Sequence, residues 1–211
     1  MTTKKLIALL ILLPAVFGLT GCSGGVNGEG TKDYSVGTPI VRGNAFNDLG
    51  WEYIGKGQYD SAIAQFNKVI ADNPTTDELT EADNGLGWAR SFRGQLKDGM
   101  PWFEKAAARS DDAKVGLAAA YLQKASRDDL EKVVDLLYKQ LGKENPHFTY
   151  TARRNTGVSN AEVHAMLAYA FAATGNDDQG REQLEYAKEL NEKEPSPTFS
   201  QLSNVVEFLL R

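Results

Sequence analysis

Little in this 211-residue chain suits covalent chemistry. It holds one cysteine, Cys22, and two histidines, His147 and His164. A single thiol cannot build a disulfide framework. Neither histidine lies in H-E-x-x-H or a similar ligand spacing, and Glu162 and His164, two apart, point in different directions on a helix. No serine sits in G-x-S-x-G, and no glycine-rich phosphate loop is present. The acidic pairs Asp111-Asp112, Asp128-Asp129 and Asp177-Asp178 lack further oxygen ligands at loop spacing. Each stands where a helix is expected to begin, and acids there favour the helix dipole. Basic residues are outnumbered, 23 to 28, for a net charge of −5. That argues against nucleic acid or anionic lipid as the main ligand. The expectation is a non-enzyme with no cofactor, no bound metal and no nucleic-acid partner.

Long hydrophobic runs are equally scarce. Leu6 to Phe17 is apolar but too short to span a bilayer, and Lys4 and Lys5 precede it as a positive n-region. Leu19-Thr20-Gly21-Cys22 follows. This box resembles the bacterial lipobox, which implies cleavage before Cys22 and acylation of its thiol. Ser23, with no Asp after the cysteine, is similar to the outer-membrane sorting pattern. Residues 1–21 are therefore expected to be a lipoprotein signal peptide, and removing them leaves 21 basic and 28 acidic residues, or −7. Residues 22–42, rich in Gly, Ser and Thr, are expected to form a lipidated tether of ~25 Å root-mean-square span.

From Gly43 onward the chain is periodic. Phe46, Leu49, Gly50 and Tyr53 share one helical face over 44–55, and Ala62, Phe66, Val69 and Ile70 another over 59–71. Gly57 breaks the chain between them, and Pro74 ends the unit. A second unit follows 37 residues on, where Leu86-Gly87, Gly94-Gln95, Gly99, Phe103 and Ala106 reproduce Leu49-Gly50, Gly57-Gln58, Ala62, Phe66 and Val69. Its helices are expected over 77–93 and 96–108. A looser third unit places Leu117, Ala118 and Tyr121, then Leu130, Val134 and Leu137, in the same positions. Leu130 is bulky where a small residue is wanted, so its two helices are expected to cross at wider separation. Residues 144–160 interrupt the period, with a β-prone Phe148-Thr149-Tyr150-Thr151 expected to be extended along the edge of the array. Arg153 and Arg154 read there as exposed donors. The fourth unit has Leu167, Ala168, Phe171, Gly175-Asn176, Gly180, Leu184 and Ala187. After Pro195-Ser196-Pro197, residues 198–211 carry Leu202, Val205, Val206, Leu209 and Leu210 on one side.

This spacing resembles the tetratricopeptide repeat (TPR), in which helical hairpins stack into a superhelix. The resemblance implies an all-α fold of about four repeats (43–74, 80–111, 112–146 and 161–194) plus a C-terminal capping helix, which repeat arrays require. It implies a concave face lined by the first helix of each pair. The residue after Leu-Gly generally points into it: Trp51, Trp88, Ala119 and Tyr169. Asn47 and Asn84 sit in the matching segments N-x-L-G-W. Asn47, Trp51, Asn84, Trp88 and Tyr169 are thus candidates for binding a protein or peptide partner, as an exposed aromatic row with amide donors. Equally, each Trp can pack between adjacent first helices. Trp where carboxylate-clamp TPR proteins carry Asn argues against that ligand. Asn84 to Ala89 and the aromatic insertion are similar to uncharacterised envelope TPR lipoproteins. The expected role is a lipid-anchored scaffold of the bacterial cell envelope, held in the outer membrane and facing the periplasm. The alternative resembles the pilotin-like lipoproteins that assemble pilus or secretion machines.

Overall fold

The computed structural model describes residues 42–211, apart from Pro197. The signal segment, Cys22 and the tether to residue 41 lie outside the described residues. Among those described there are nine α-helices and no strand. The first hairpin pairs α1 (Arg42–Gly55) with α2 (Tyr59–Ala71), and the second pairs α3 (Thr76–Arg93) with α4 (Leu96–Ala106). The third joins α5 (Asp111–Lys124) to α6 (Arg127–Val134), which continues as a π-helical turn over Asp135–Leu141. After a long connection come α7 (Asn160–Thr174), α8 (Asp177–Lys193) and α9 (Phe199–Leu209). The architecture is the expected all-α TPR-type array of four hairpins and a C-terminal helix.

Local chemistry sets these boundaries. The Thr75 hydroxyl accepts from the Glu78 N–H, and the Glu78 carboxylate accepts from the Thr75 N–H, which closes a capping box on α3. Ser159 and Glu162 do the same for α7, while Ser110 and Ser126 cap α5 and α6. Each such cap satisfies an amide the helix itself cannot, worth about 1 kcal/mol. Gly57 and Gly175 turn the first and fourth hairpins at φ of +70° and +89°, a conformation glycine adopts without a Cβ clash.

Packing between hairpins rests on phenylalanine set against glycine. Phe66 of α2 is fully buried, and a Cβ on either Gly50 or Gly85 would come within 2.6 Å and 2.2 Å of its ring. Phe103 of α4 repeats the arrangement with Gly87 and Gly116, at 2.4 Å and 2.5 Å. Each second-helix ring thus wedges between its own first helix and the next one, and both must lack a side chain there. Full burial of such a ring stabilises by roughly 1.5–3 kcal/mol. The third hairpin has no such ring. Its second helix is also short, eight residues before the π-helical turn, and α5 and α6 pack less extensively than the other pairs.

First helices pack against their successors (α1 on α3, α3 on α5, α5 on α7), while successive second helices do not pack extensively. Closer spacing in one layer bends the stack toward it, so the first helices line the inside of the curve. Helix α9 packs mainly on α7 and continues this inner layer, burying Phe199, Leu202, Val206 and Leu210. Arg181 of α8 donates to the Leu210 carbonyl, and Lys188 bridges Glu185 and Glu207, each at 3.0 Å. No helix among the described residues is long and apolar enough to cross a membrane.

Candidate functional site: the inner face of the first helices

The residues from Trp51 to Tyr169 do not form an exposed aromatic row. Trp51 is 9% exposed, Trp88 2% and Tyr169 5%. The Trp51 indole meets the Phe66 ring edge-on at 5.8 Å. Trp88 stacks on Phe92 at 5.5 Å and meets Phe103 edge-on at 5.2 Å. The apolar rings of the second helices therefore claim both indoles, and burial raises the pKa of the Tyr169 phenol. Asn47 and Asn84 are each 1% exposed. Asn47 Nδ2 donates to the Glu78 carbonyl at 3.0 Å and so fixes α1 against α3. These five residues lie within the array.

The polar groups of the inner face are carboxylates, of which Asp112 reads from the sequence as a helix-start acid and Glu162 only as a neighbour of His164. Glu81, Asp112 and Glu162 each stand five residues before the repeat leucine, Leu86, Leu117 and Leu167. They share one repeat position, and all three are buried, at 7%, 2% and 8% exposed. Each receives a non-repeating part of the chain. Glu162 accepts from the Thr198 hydroxyl at the start of α9. Asp112 and Glu81 receive the connection between α6 and α7.

That connection crosses the inner face instead of running along the edge of the array. From His147 to Thr156 its side chains alternate, with Phe148, Tyr150, Ala152, Arg154 and Thr156 turned inward and the intervening residues exposed. This is the period of an extended chain, as expected for Phe148 to Thr151; the alternation persists five residues further although the backbone bends at Arg153 and Arg154. Phe148 and Tyr150 anchor one end, at 6% and 4% exposed. The Phe148 ring lies 4.4 Å from the His164 ring. His164, fully buried, faces Gln183 Oε1 with Nδ1 at 2.7 Å and the Phe148 carbonyl with Nε2 at 2.9 Å. Gln183 Nε2 in turn donates to the Pro146 carbonyl at 2.9 Å. His164 is thus a structural histidine. Burial outweighs both hydrogen bonds and holds its pKa below the usual range.

Asp112 is the centre of the crossing. Its Oδ1 accepts from the Tyr150 hydroxyl at 2.9 Å and the Arg153 N–H at 3.1 Å, and its Oδ2 accepts from the Arg154 N–H at 3.0 Å. Burial first, and the Asp112 charge second, push the Tyr150 phenol far above its ordinary range. The Arg154 guanidinium then reaches two repeats at once. Its Nε donates to Glu81 Oε1 at 2.5 Å and its Nη2 to Asp48 Oδ1 at 2.9 Å, with the guanidinium carbon 5.7 Å from the Trp51 ring centre. Burial works against the charge, but these carboxylates hold the arginine's pKa above its usual value. Arg154 is therefore not the exposed donor expected, whereas Arg153, with 77% of its side chain exposed and 3.8 Å from Glu81, nearly is. Beside the crossing lies a cavity of about 560 Å³, lined by Asp77, Glu81, Asp111, Asp112, Thr151 and Arg153 among others.

A family model described as tetratricopeptide repeat matches residues 43–75. No curated protein matches the chain. Among solved structures, the chain is similar to one named MamA MSR-1 C2, with a TM-score of 0.50 and 20% identity over 80% of this chain and 98% of that one. At that identity the likeness concerns the fold. It agrees with the stacked hairpins above: the chain carries a tetratricopeptide repeat at 43–75 within an all-α array of TPR type.

Proposed function

We propose that the protein is a lipid-anchored scaffold of the bacterial cell envelope, binding protein partners through the inner face of its first helices. The observation that carries the reading is the crossing itself. Asp48, Glu81 and Asp112 come from three successive repeats and converge on one stretch of polypeptide, extended from Phe148 and bent at Arg153 and Arg154. A surface that holds such a stretch by main-chain and side-chain hydrogen bonds is of the kind that receives a partner's extended segment. Anchoring through Cys22, with an outer-membrane destination, rests on the Leu19-Thr20-Gly21-Cys22 box and the positive and apolar segments before it.

Two experiments test the two halves. Cys22→Ser should move the protein from the membrane to a soluble fraction, and unchanged membrane retention would reject the anchor. Crosslinking in intact envelopes should give an adduct that Asp48→Lys with Glu81→Lys abolishes. The same adduct should survive Lys68→Glu on the outer helix α2. Equal capture by all three proteins would reject the inner face.

A further inference from the structure

The inner face is already occupied, and the manner of its occupation says what else can bind there. The crossing has two parts. Phe148 and Tyr150 are deep anchors whose rings belong to the core. Residues 151–157 form an outer limb, with Thr151, Arg153, Asn155 and Gly157 exposed and Arg154 half-buried. Besides Ala152, packed against the core, and the buried Thr156, the limb is held by the two backbone amides on Asp112 and the Arg154 guanidinium on Glu81 and Asp48. Asp48 is itself 69% exposed. The Arg154 and Glu81 side chains are only 26% and 9% exposed, so lifting the limb unpairs a largely buried carboxylate. That cost is offset where an incoming cation takes the place of Arg154, while the anchors Phe148 and Tyr150 are held separately. Gly157, with φ +73° and open space around it, gives the limb a hinge on the α7 side.

What the lifted limb leaves behind is specific. Two carboxylates from different repeats are left without their shared donor, since a planar fork of N–H groups now spans them near the Trp51 ring. A guanidinium satisfies both carboxylates while lying over an aromatic ring; an ammonium, as a point charge, does not. The successive amides of residues 153 and 154 converge on Asp112, which requires a bent backbone at that point, since successive N–H groups of an extended chain point to opposite sides. The cavity lined by Asp77, Glu81, Asp111 and Asp112 leaves room next to the limb for the start of an incoming chain.

We infer that residues 151–157 are a built-in competitor for this face, and that the external partner is a separate protein presenting a segment, bent as residues 153 and 154 are, whose arginine replaces Arg154 between Asp48 and Glu81. This rests on the scaffold reading above and names its ligand chemistry and its regulation. Affinity for the partner is reduced by the fraction of time the limb stays down, and displacement uncovers the Trp51 ring.

The test uses the full chain and a labelled peptide with the sequence of residues 151–158, followed by fluorescence anisotropy. A protein with Arg153→Ser and Arg154→Ser should bind the peptide about tenfold more tightly than the wild type, because its own limb no longer competes. Replacing the peptide's second arginine by glutamine should abolish binding, and a lysine there should restore only part of it. Adding Glu81→Gln to the protein should abolish binding again, with thermal unfolding to confirm that each variant is folded. Equal affinity of wild-type and serine-substituted proteins, or indifference to the peptide's arginine, would overturn the inference. So would dimerisation of the serine-substituted protein by light scattering, since the occupant would then be a second copy. If the peptide fails while the envelope crosslink still depends on Glu81, this inference falls and the scaffold reading stands.

Discussion

Asp112→Asn is the perturbation that separates the crossing from the rest of the fold. The substitution keeps the shape and removes the charge. In one amide orientation, the Asn oxygen serves the Tyr150 hydroxyl and the Arg153 N–H, while its NH₂ meets the Arg154 N–H donor to donor. In the other, the two donors on Oδ1 lose their acceptor. At least one buried donor is left unmatched, at about 1–3 kcal/mol, and the remaining bonds lose their charge assistance. The limb is half-exposed, so some of this is regained from water, and a local cost of about 2 kcal/mol is expected. That amounts to about thirtyfold more frequent opening. Amide hydrogen exchange should therefore be about thirtyfold faster at residues 153 and 154, with Phe66 and Leu86 in the first two hairpins unchanged. Unchanged exchange at 153 and 154 would refute the three-donor account of Asp112. Uniform acceleration throughout the molecule would show that Asp112 supports the whole array and not the limb.

Further expectations follow from the packing and the buried histidine. Gly85→Ala would place a Cβ 2.2 Å from Phe66 Cζ. It should destabilise by about 1–3 kcal/mol. Gly55→Ala, with nothing within 4 Å, should stabilise by up to about 1 kcal/mol from helix propensity. Urea unfolding distinguishes the two, and the same sign for both would contradict the wedge. Because burial lowers the pKa of His164, the unfolded chain takes up a proton that the folded one resists. Its contribution to stability is full above the ordinary histidine value of about 6.5 and is lost as pH falls through the folded value. The urea midpoint should fall between pH 7.5 and 5.5 in a His147→Gln background. His164→Gln in the same background should flatten that slope.

The fold was legible because the repeat register rests on volume. Gly50, Ala62, Gly87 and Gly99 are small where helices cross, and Phe66 and Phe103 are large where they wedge. A period of 3.6 residues carries that pattern directly. The direction of the tryptophans could not be read, since a residue after Leu-Gly borders both the groove and the second helix. Phe66, Phe92 and Phe103 decided it by packing against the indoles. The crossing was hidden for a different reason. Arg154 and Asp48 are 106 residues apart, and an aperiodic segment does not announce its partner. One signal was present in the sequence: Glu81, Asp112 and Glu162 occupy the same repeat position, where buried acids call for donors from elsewhere in the chain.

The central claim is that partners enter on the inner layer of first helices, at the place the chain's own limb now holds. Site-specific photocrosslinking tests it most directly, with the photoreactive residue at position 48 on α1 or at position 68 on α2. The account predicts a partner adduct from position 48, strengthened by Arg153→Ser with Arg154→Ser, and none from position 68. An adduct from position 68 with none from position 48 would contradict it.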